Sequence, residues 1–170
     1  MGDLPARLRE ALAGRVAVVG IGNPDLGDDA FGLALAGALA AAGAPAVVQA
    51  GTTPERHIQR LADAGYDAVL FLDAVELGGV PGSCALLPAD EIRAACPQIS
   101  THKLSVGTLA QIAESHGATR AWLLGVQPAS LRPGGGLSKP VRAALEALRD
   151  LLLPVLCAPA ARAAAAVESQ

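Results

Sequence analysis

Short runs of apolar residues alternate along this chain with longer segments in which apolar residues recur at helical spacing. The short runs predict strands, and the segments between them predict helices. The predicted strands are residues 16–21, 46–50, 68–72, 83–87 and 121–126. This alternation indicates an α/β domain with a mostly parallel central sheet of about five strands. The third run is apolar throughout, which favours burial on both faces, whereas the fourth is weaker and is expected nearer an edge.

The segments before, between and after these strands predict six helices and a loop. The helices are residues 5–13, 29–42, 55–64, 90–95, 103–116 and 139–153, and the loop is residues 97–102. Ser138 stands directly before the last helix, a position where a hydroxyl side chain caps the helix. The length predicts a single domain over residues 1–170, with its core at about 16–153. The Ala-rich stretch after Pro154 predicts a loosely ordered tail over 154–170.

Composition narrows the class of protein. Of the 170 residues, 52% are hydrophobic and only 2% aromatic, so the core must be built from Ala, Leu and Val with close helix–sheet contact. The net charge of -3 does not indicate a basic surface that would bind nucleic acid or an anionic membrane. Three cysteines without a Cys-x-x-Cys motif are typical of a reduced protein. Neither a signal peptide nor a membrane-length apolar run is present, so a cytoplasmic location is expected.

The segment after the first predicted strand combines glycines with acids. It contains Gly20-Ile-Gly-Asn23 and continues to Asp25, Asp28 and Asp29 before the next helix. The two glycines of the motif suit tight turning, and glycines at a strand end are typical of phosphate-binding loops. Here the three carboxylates would repel a phosphate, and no Gly-Lys-Ser/Thr is present. The acidic loop therefore favours a cation over a nucleotide.

Polar side chains follow several predicted strands, at the edge where open α/β sheets bind their ligands. These strand-end residues are Asn23, Asp28, Asp29, Thr52, Asp73 and Gln127. If the first and third strands are neighbours, as in a flavodoxin-like order, Asp29 comes close to Asp73. His102, near the start of a later helix, can reach the same edge. Two carboxylates and one imidazole suit Zn²⁺, Ni²⁺ or Mn²⁺ and leave coordination positions open.

Each of these residues also has a purely structural interpretation. Asp28 and Asp29 flank a predicted helix start, where acids cap a helix and complement its dipole. His102 follows a Ser-Thr pair that is compatible with a capping turn. Asn23 is expected to stabilise its own turn through hydrogen bonds from its side chain to the backbone. From the residues alone, the metal site and these structural roles both stay open.

Seven short motifs in this order and spacing give the chain a family resemblance. They are Gly20-Ile-Gly-Asn23, Asp28-Asp-Ala-Phe-Gly32, Gly51-Thr52, Phe71-Leu-Asp-Ala74, Ser100-Thr-His-Lys-Leu104, Gly125-Val-Gln-Pro128 and Gly136-Leu-Ser-Lys-Pro-Val141. With these motifs the chain resembles the maturation endopeptidases of nickel–iron hydrogenases. The resemblance covers about residues 16–152. It departs from the family at residues 49–54, which lack the acid before Gly-Thr and the glycine after it.

The resemblance implies a fold, an activity and a set of site residues. The fold is a three-layer α/β/α arrangement with a twisted central sheet. The activity is removal of a C-terminal peptide from the hydrogenase large-subunit precursor after nickel insertion. The metal-recognising and catalytic positions are Asp29, Asp73 and His102, with Asp28 as the alternative if the register is shifted by one. The nickel is expected to arrive with the substrate, no nucleotide is implied, and a monomer is the default.

Other functions stay compatible with the same residues. The chain contains neither a Gly-x-Ser-x-Gly elbow nor a His-Glu-x-x-His motif. One alternative is a hydrolase with its own resident Zn²⁺ at Asp29, Asp73 and His102. A non-enzyme alternative is a chaperone that binds a nickel protein without shortening it. The loops 75–82 and 128–136 flank the strand ends and are predicted to contact the substrate.

Overall fold

The computed structural model describes residues 3–95, 105–115 and 117–158. Its centre is a five-stranded sheet in the order β2-β1-β3-β5-β4. The strands are β1 (Val16–Ile21), β2 (Val47–Gly51), β3 (Ala68–Ala74), β4 (Cys84–Pro88) and β5 (Arg120–Val126). The first, second, third and fifth strands are parallel, and β4 pairs antiparallel with β5 at the edge. The predicted mostly parallel α/β fold and the edge position of β4 are confirmed.

Helices cover both faces of this sheet. They are α1 (Leu4–Ala11), α2 (Phe31–Ala41), α3 (Glu55–Asp63), α4 (Ala89–Ala95), α5 (Val106–Glu114) and α6 (Lys139–Leu156). One buried cluster joins α1, α2 and α6 to one face of the sheet. A second cluster joins α3, α4 and α5 to the other face. These two clusters make the fold a three-layer α/β/α arrangement, as the resemblance implied.

The buried core reaches beyond the predicted limits of residues 16–153. At the start of the chain, α1 places Leu8 and Ala11 in the core. At the other end, α6 continues through Pro154 because Leu152 and Leu156 are buried against the same cluster. Proline removes one helical hydrogen bond, but packing of the apolar face outweighs that loss. The predicted helix end at 153 is therefore wrong, and residues 159–170 of the predicted tail lie outside the described residues.

Two further limits differ from the prediction next to the strand ends. Residues 28 and 29 lie in a 3₁₀ turn (Gly27–Ala30), and α2 begins at Phe31 rather than at residue 29. Strand β3 extends past residue 72, since Asp73 pairs with Gly125 in the ladder to β5. The ladder to β5 thus fixes the backbone of Asp73.

The predicted loop 97–102 and the predicted helix residues 103, 104 and 116 lie outside the described residues.

Small residues let α2 lie directly on the sheet, as the composition predicted. A side chain at Gly32 would collide with the carbonyl oxygens of Ile21 and Leu72. A side chain at Gly20 would collide with Ala36 and with the Gly32 carbonyl. Gly22 has a φ of 138°, so it is a turning residue as predicted, but Gly20 has no positive φ. The interpretation of Gly20 as a turn residue was wrong, because close helix–strand approach requires it instead.

Among the described residues, no helix combines the length and the apolar character that crossing a bilayer requires.

Candidate active site

The sheet order places the predicted site at the reversal point of the topology. Strands β1 and β3 are direct neighbours, as in the flavodoxin-like order expected from the sequence. The chain leaves β1 for β2 on one side, while β3 lies on the other, so a crevice opens between their carboxyl ends. Asp29 follows β1 in the 3₁₀ turn, and Asp73 is the penultimate residue of β3. The topology therefore brings these two acids to one crevice.

Asp73 is a buried acid whose surroundings do little to stabilise its ionised form. It is only 5% exposed, and its Oδ1 atom has no hydrogen bond to any residue in the described ranges. Burial and, second, the negative charge of Asp29 together raise the pKa of Asp73 to about 8, because a hydrogen bond from the Ala74 backbone N–H offsets only part of their effect. A buried, unpaired carboxylate is costly unless it is protonated or binds a cation. The site is therefore suited to a positive ligand.

Asp29 faces this crevice and is not used as a helix cap. Its Oδ2 atom accepts a hydrogen bond from the Asn23 backbone N–H at 2.8 Å. The residues at the N-cap positions of the 3₁₀ turn and of α2 are Leu26 and Ala30, and neither makes a side-chain capping bond. Because the charge of Asp29 acts on Asp73, the two carboxylates form an acidic pair. This geometry supports the assignment of both as metal ligands, which stays a prediction.

Asp28 points away from the acidic pair and is fully bonded. Its carboxylate accepts hydrogen bonds from the backbone N–H groups of Ala129 (2.8 Å), Ser130 (3.1 Å) and Ser138 (2.7 Å). The Ser138 hydroxyl donates a fourth at 2.9 Å. Burial opposes ionisation of Asp28, yet these hydrogen bonds outweigh it and lower the pKa. Of the two adjacent acids, Asp29 is therefore the one whose carboxylate remains directed at Asp73.

The third predicted ligand, His102, lies outside the described residues, as do all residues from 96 to 104. Within the described ranges, no three His, Cys, Asp or Glu side chains form a group that could hold a metal ion. The acidic pair supplies two oxygen donors, and a complete site needs at least one further ligand from elsewhere. Carboxylate oxygens with an imidazole nitrogen fit Ni²⁺ or Zn²⁺.

Other strand-end residues hold the loops around the crevice. Gln127 is 4% exposed, and its Oε1 atom accepts a hydrogen bond from the Leu77 backbone N–H at 2.6 Å. Its Nε2 atom donates to Glu76 Oε1 at 2.8 Å, so Gln127 fixes the loop 75–82. The Asn23 side chain accepts from the Asp25 backbone N–H at 2.9 Å, which confirms its predicted role in its own turn. Thr52 is exposed at the end of β2.

The loop after β5, residues 128–138, is called here the Pro/Gly loop, and it lies against the acidic loop after β1. The Gly134 backbone N–H donates to the Asp25 carbonyl at 3.0 Å, and the Asp28 N–H donates to the Ser130 carbonyl at 2.9 Å. A Cβ atom at Gly27 would stand 2.7 Å from the Ser130 carbonyl oxygen. No local pattern in the chain indicates this contact, because the partners are distant in sequence and Ser138 was expected to cap α6.

Two large apolar side chains are exposed near this edge. Val80, in the loop 75–82, is 74% exposed, and Leu131, in the Pro/Gly loop, is 45% exposed.

Ser138 occupies the N-cap position of α6, but its side chain makes no capping bond and bonds Asp28 instead. The predicted N-cap position is thus confirmed, but the hydroxyl donates its proton to the Asp28 carboxylate, a strong ionised acceptor, and makes no capping bond.

The comparison with protein families agrees with this architecture. The family model described as hydrogenase maturation protease matches residues 33–155. The chain belongs to the hydrogenase maturation protease family. It is accordingly a peptidase, and the resemblance drawn from the motifs is confirmed. The matched range includes Asp73, whereas Asp28 and Asp29 precede it.

Individual relatives extend the match over most of the chain. The chain is 30% identical over 135 residues to the hydrogenase 3 maturation protease of Escherichia coli strain K12, covering 78% of this chain and 85% of that protein. The crystal structure of the [NiFe] hydrogenase maturation protease HycI from Thermococcus kodakarensis KOD1 has a TM-score of 0.78 and 28% identity, covering 88% of this chain and 98% of that one. The hydrogenase maturating endopeptidase HybD of E. coli has a TM-score of 0.68 and 28% identity, covering 84% and 91%.

Proposed function

We propose that this peptidase removes the C-terminal extension of a nickel–iron hydrogenase large-subunit precursor after nickel insertion, and that it recognises the nickel held by that precursor. Asp29, Asp73 and His102 are the proposed nickel ligands and catalytic residues. The observation that carries the proposal is the acidic pair, in which the buried Asp73 Oδ1 atom has no hydrogen bond within the described part of the chain. The family membership supports a hydrogenase precursor as substrate.

The acidic pair is better suited to recognising a metal held by the precursor than to binding a free metal ion tightly. A cation between Asp29 and Asp73 neutralises their repulsion and supplies the partner that Asp73 Oδ1 lacks. The pair alone offers few donors, so a metal that is already coordinated by the precursor binds more favourably than a free ion. Only a nickel-loaded precursor then stabilises the complex, and an unloaded one leaves the acidic pair without a cation. This selectivity makes nickel a recognition element.

The proposed role of the chain in cleavage is to hold and orient the peptide. Asp29, Asp73 and His102 bind the open coordination positions of the substrate's nickel and so fix the precursor's C-terminal segment at the crevice. A metal ion in that place polarises a carbonyl group or a water molecule. Positioning the scissile bond at a fixed metal also lowers the entropic part of the barrier.

The two loops at the crevice are proposed to contact the body of the precursor. The Gln127 side chain fixes the loop 75–82 through its hydrogen bonds to Leu77 and Glu76, and the Pro/Gly loop packs on the acidic loop. Each loop carries one exposed apolar side chain, Val80 or Leu131. Apolar side chains held on fixed loops around a site are suited to burial against a protein partner. The cytoplasmic location and the monomeric state expected from the sequence stay predictions.

A processing assay tests the proposal. The purified protein is mixed with a large-subunit precursor, with and without nickel, and the C-terminus is read by intact mass. Shortening of the nickel-loaded form alone is the expected result. Binding without shortening would favour the chaperone, and shortening regardless of nickel would favour a resident metal or another catalytic group. Metal analysis of the purified protein then separates these, because a resident-zinc hydrolase retains about one Zn²⁺ per chain.

A further inference from the structure

Asp28 joins the acidic loop to both ends of the Pro/Gly loop. Ala129 and Ser130 lie at the start of that loop and Ser138 at its end, and all three donate backbone hydrogen bonds to the one Asp28 carboxylate. The Ser138 hydroxyl adds a fourth bond. Hydrogen bonds to a buried ionised carboxylate are among the strong ones in proteins. The carboxylate therefore closes the base of the loop.

The rest of the Pro/Gly loop follows the acidic loop closely. The Asp28 backbone N–H bonds the Ser130 carbonyl, and the Asp25 carbonyl accepts from Gly134. Gly27, whose φ is 55°, leaves room for the carbonyl oxygens of Ser130 and Arg132. The two loops therefore form one packed unit, with Leu131 exposed on it. Asp28 is 1% exposed and lies at its centre.

We infer that Asp28 is a positioning residue of the peptidase, which holds the Pro/Gly loop as a fixed wall beside Asp29 so that the precursor binds in register with the acidic pair. This inference rests on the proposed function. The 3₁₀ turn links the Pro/Gly loop to the acidic pair, because Asp28 and Asp29 are consecutive in it. The Asp28 carboxylate bonds the Pro/Gly loop, and the Asp29 carboxylate bonds the Asn23 backbone N–H. The hydrogen bonds of the Asp28 carboxylate to residues 129, 130 and 138 are called here the clamp; its loss frees the wall, while Asp29 is still held by the Asn23 backbone N–H.

The test compares D28N, S138A and the double variant with wild type. An Asn amide nitrogen cannot accept a hydrogen bond, so D28N loses at least part of the clamp while keeping its shape. S138A loses only the hydroxyl bond and is the milder variant if D28N folds poorly. E146Q, at an exposed position of α6, removes one carboxylate without touching the clamp and is the matched control.

Three readouts are measured on each variant. The wall binds ground and transition states alike, so we expect D28N to raise KM for the nickel-loaded precursor about tenfold or more, with kcat changed by less than about threefold. S138A should raise KM by roughly threefold. Amide hydrogen exchange in residues 129–138 should accelerate in D28N and not in E146Q. The double variant should resemble D28N, because both changes act on one contact.

Several results would overturn the inference. An unchanged KM in a D28N protein with faster exchange in the Pro/Gly loop means that the wall does not position the precursor. Unchanged exchange means that Asp28 is not the clamp. Additive effects of D28N and S138A mean that they act separately. If wild type binds but does not shorten the loaded precursor, the proposed function fails, and the precursor Kd then decides whether D28N still weakens docking by about tenfold.

Discussion

The charge of Asp29 acts directly on Asp73, although Asp29 lies in the 3₁₀ turn after β1 and Asp73 lies within β3. Asp73 is held in the β3 ladder opposite Gly125, and Asp29 is held by the Asn23 backbone N–H. A backbone hydrogen bond therefore holds the Asp29 carboxylate, and the ladder holds the backbone of Asp73 at the same crevice. Such fixed, uncompensated charge is typical of a functional site rather than of a structural ion pair.

Replacing Asp73 by Asn should stabilise the protein in a pH-dependent way. The pKa of Asp73 is raised from 3.8 to about 8 by burial first and by Asp29 second. The folded state therefore holds the proton more tightly than the unfolded state, so stability falls as the pH rises from about 4 to about 8. D73N removes that loss and should gain on the order of 5 kcal/mol in the free energy of unfolding at pH 8, and almost nothing at pH 4.

Urea denaturation at pH 4, 6 and 8 measures this effect. D25N is the control, because it removes one exposed carboxylate from the same acidic loop. The difference between D73N and wild type should grow with pH, and D25N should follow wild type. A gain that is equal at all three pH values would show that Asp73 is not a destabilising buried acid.

Removing any proposed nickel ligand should abolish processing while leaving the fold intact. D29N, D73N and H102A each withdraw one donor from the substrate's metal, and we expect the rate of precursor shortening to fall about 100-fold or more. H57A, in α3, and D25N are the controls. Circular dichroism should match wild type for all five variants. Normal processing by H102A would remove that residue from the site, whatever the other variants do.

Gly32 should be far less tolerant of a methyl group than Gly37 in the same helix. A Cβ atom at Gly32 collides with the carbonyl oxygens of Ile21 and Leu72, which are fixed strand backbone. A Cβ atom at Gly37 meets only the end of the Gln49 side chain, at 3.2 Å. G32A should cost about 3 kcal/mol or more, whereas G37A should be neutral or stabilising by up to about 1 kcal/mol. Thermal unfolding of both variants decides this, and equal melting temperatures would contradict it.

The fold was predictable because each strand of this sheet is a local feature. The run 68–72 is apolar throughout and is buried in the structure, and the observed limits of β1 coincide with the predicted ones. The acidic pair was also predictable, because parallel neighbours bring their carboxyl ends to one edge. What remained open was which of the two adjacent acids faces Asp73, since a single sequence does not show the direction of a side chain in a short turn.

The clamp could not be predicted because its contacts are not local. Asp28 bonds Ala129, Ser130 and Ser138, and nothing along the chain links these positions. The local signals favoured helix caps for Asp28 and Ser138, and both residues bond each other instead. Likewise Gly20 resembled a turn residue, whereas the requirement comes from Ala36 on the facing helix. Tertiary contacts overrode local preference at these positions.

Gln127 should be replaceable by Glu only if Glu76 is changed with it. The Gln127 Nε2 atom donates to Glu76 Oε1 at 2.8 Å, and its Oε1 atom accepts from Leu77. Q127E keeps the acceptor but places a second carboxylate against Glu76, which should cost about 1–3 kcal/mol. E76Q in that background restores a donor and should recover most of the loss. Denaturation of the single and double variants measures it, and a double variant as unstable as Q127E would refute the pairing.

Val80 and Leu131 should contribute to precursor affinity and not to stability. Both are exposed, on the two loops that border the crevice, so replacing them by Ser removes apolar contact area only from a complex. The double variant V80S/L131S should weaken binding of the nickel-loaded precursor by about tenfold, with an unchanged melting temperature. A40S, at an exposed position of α2, is the control and should bind as wild type does. An unchanged Kd in the double variant would mean that the precursor docks elsewhere, because a precursor that covers these two side chains loses apolar contact area when they are replaced.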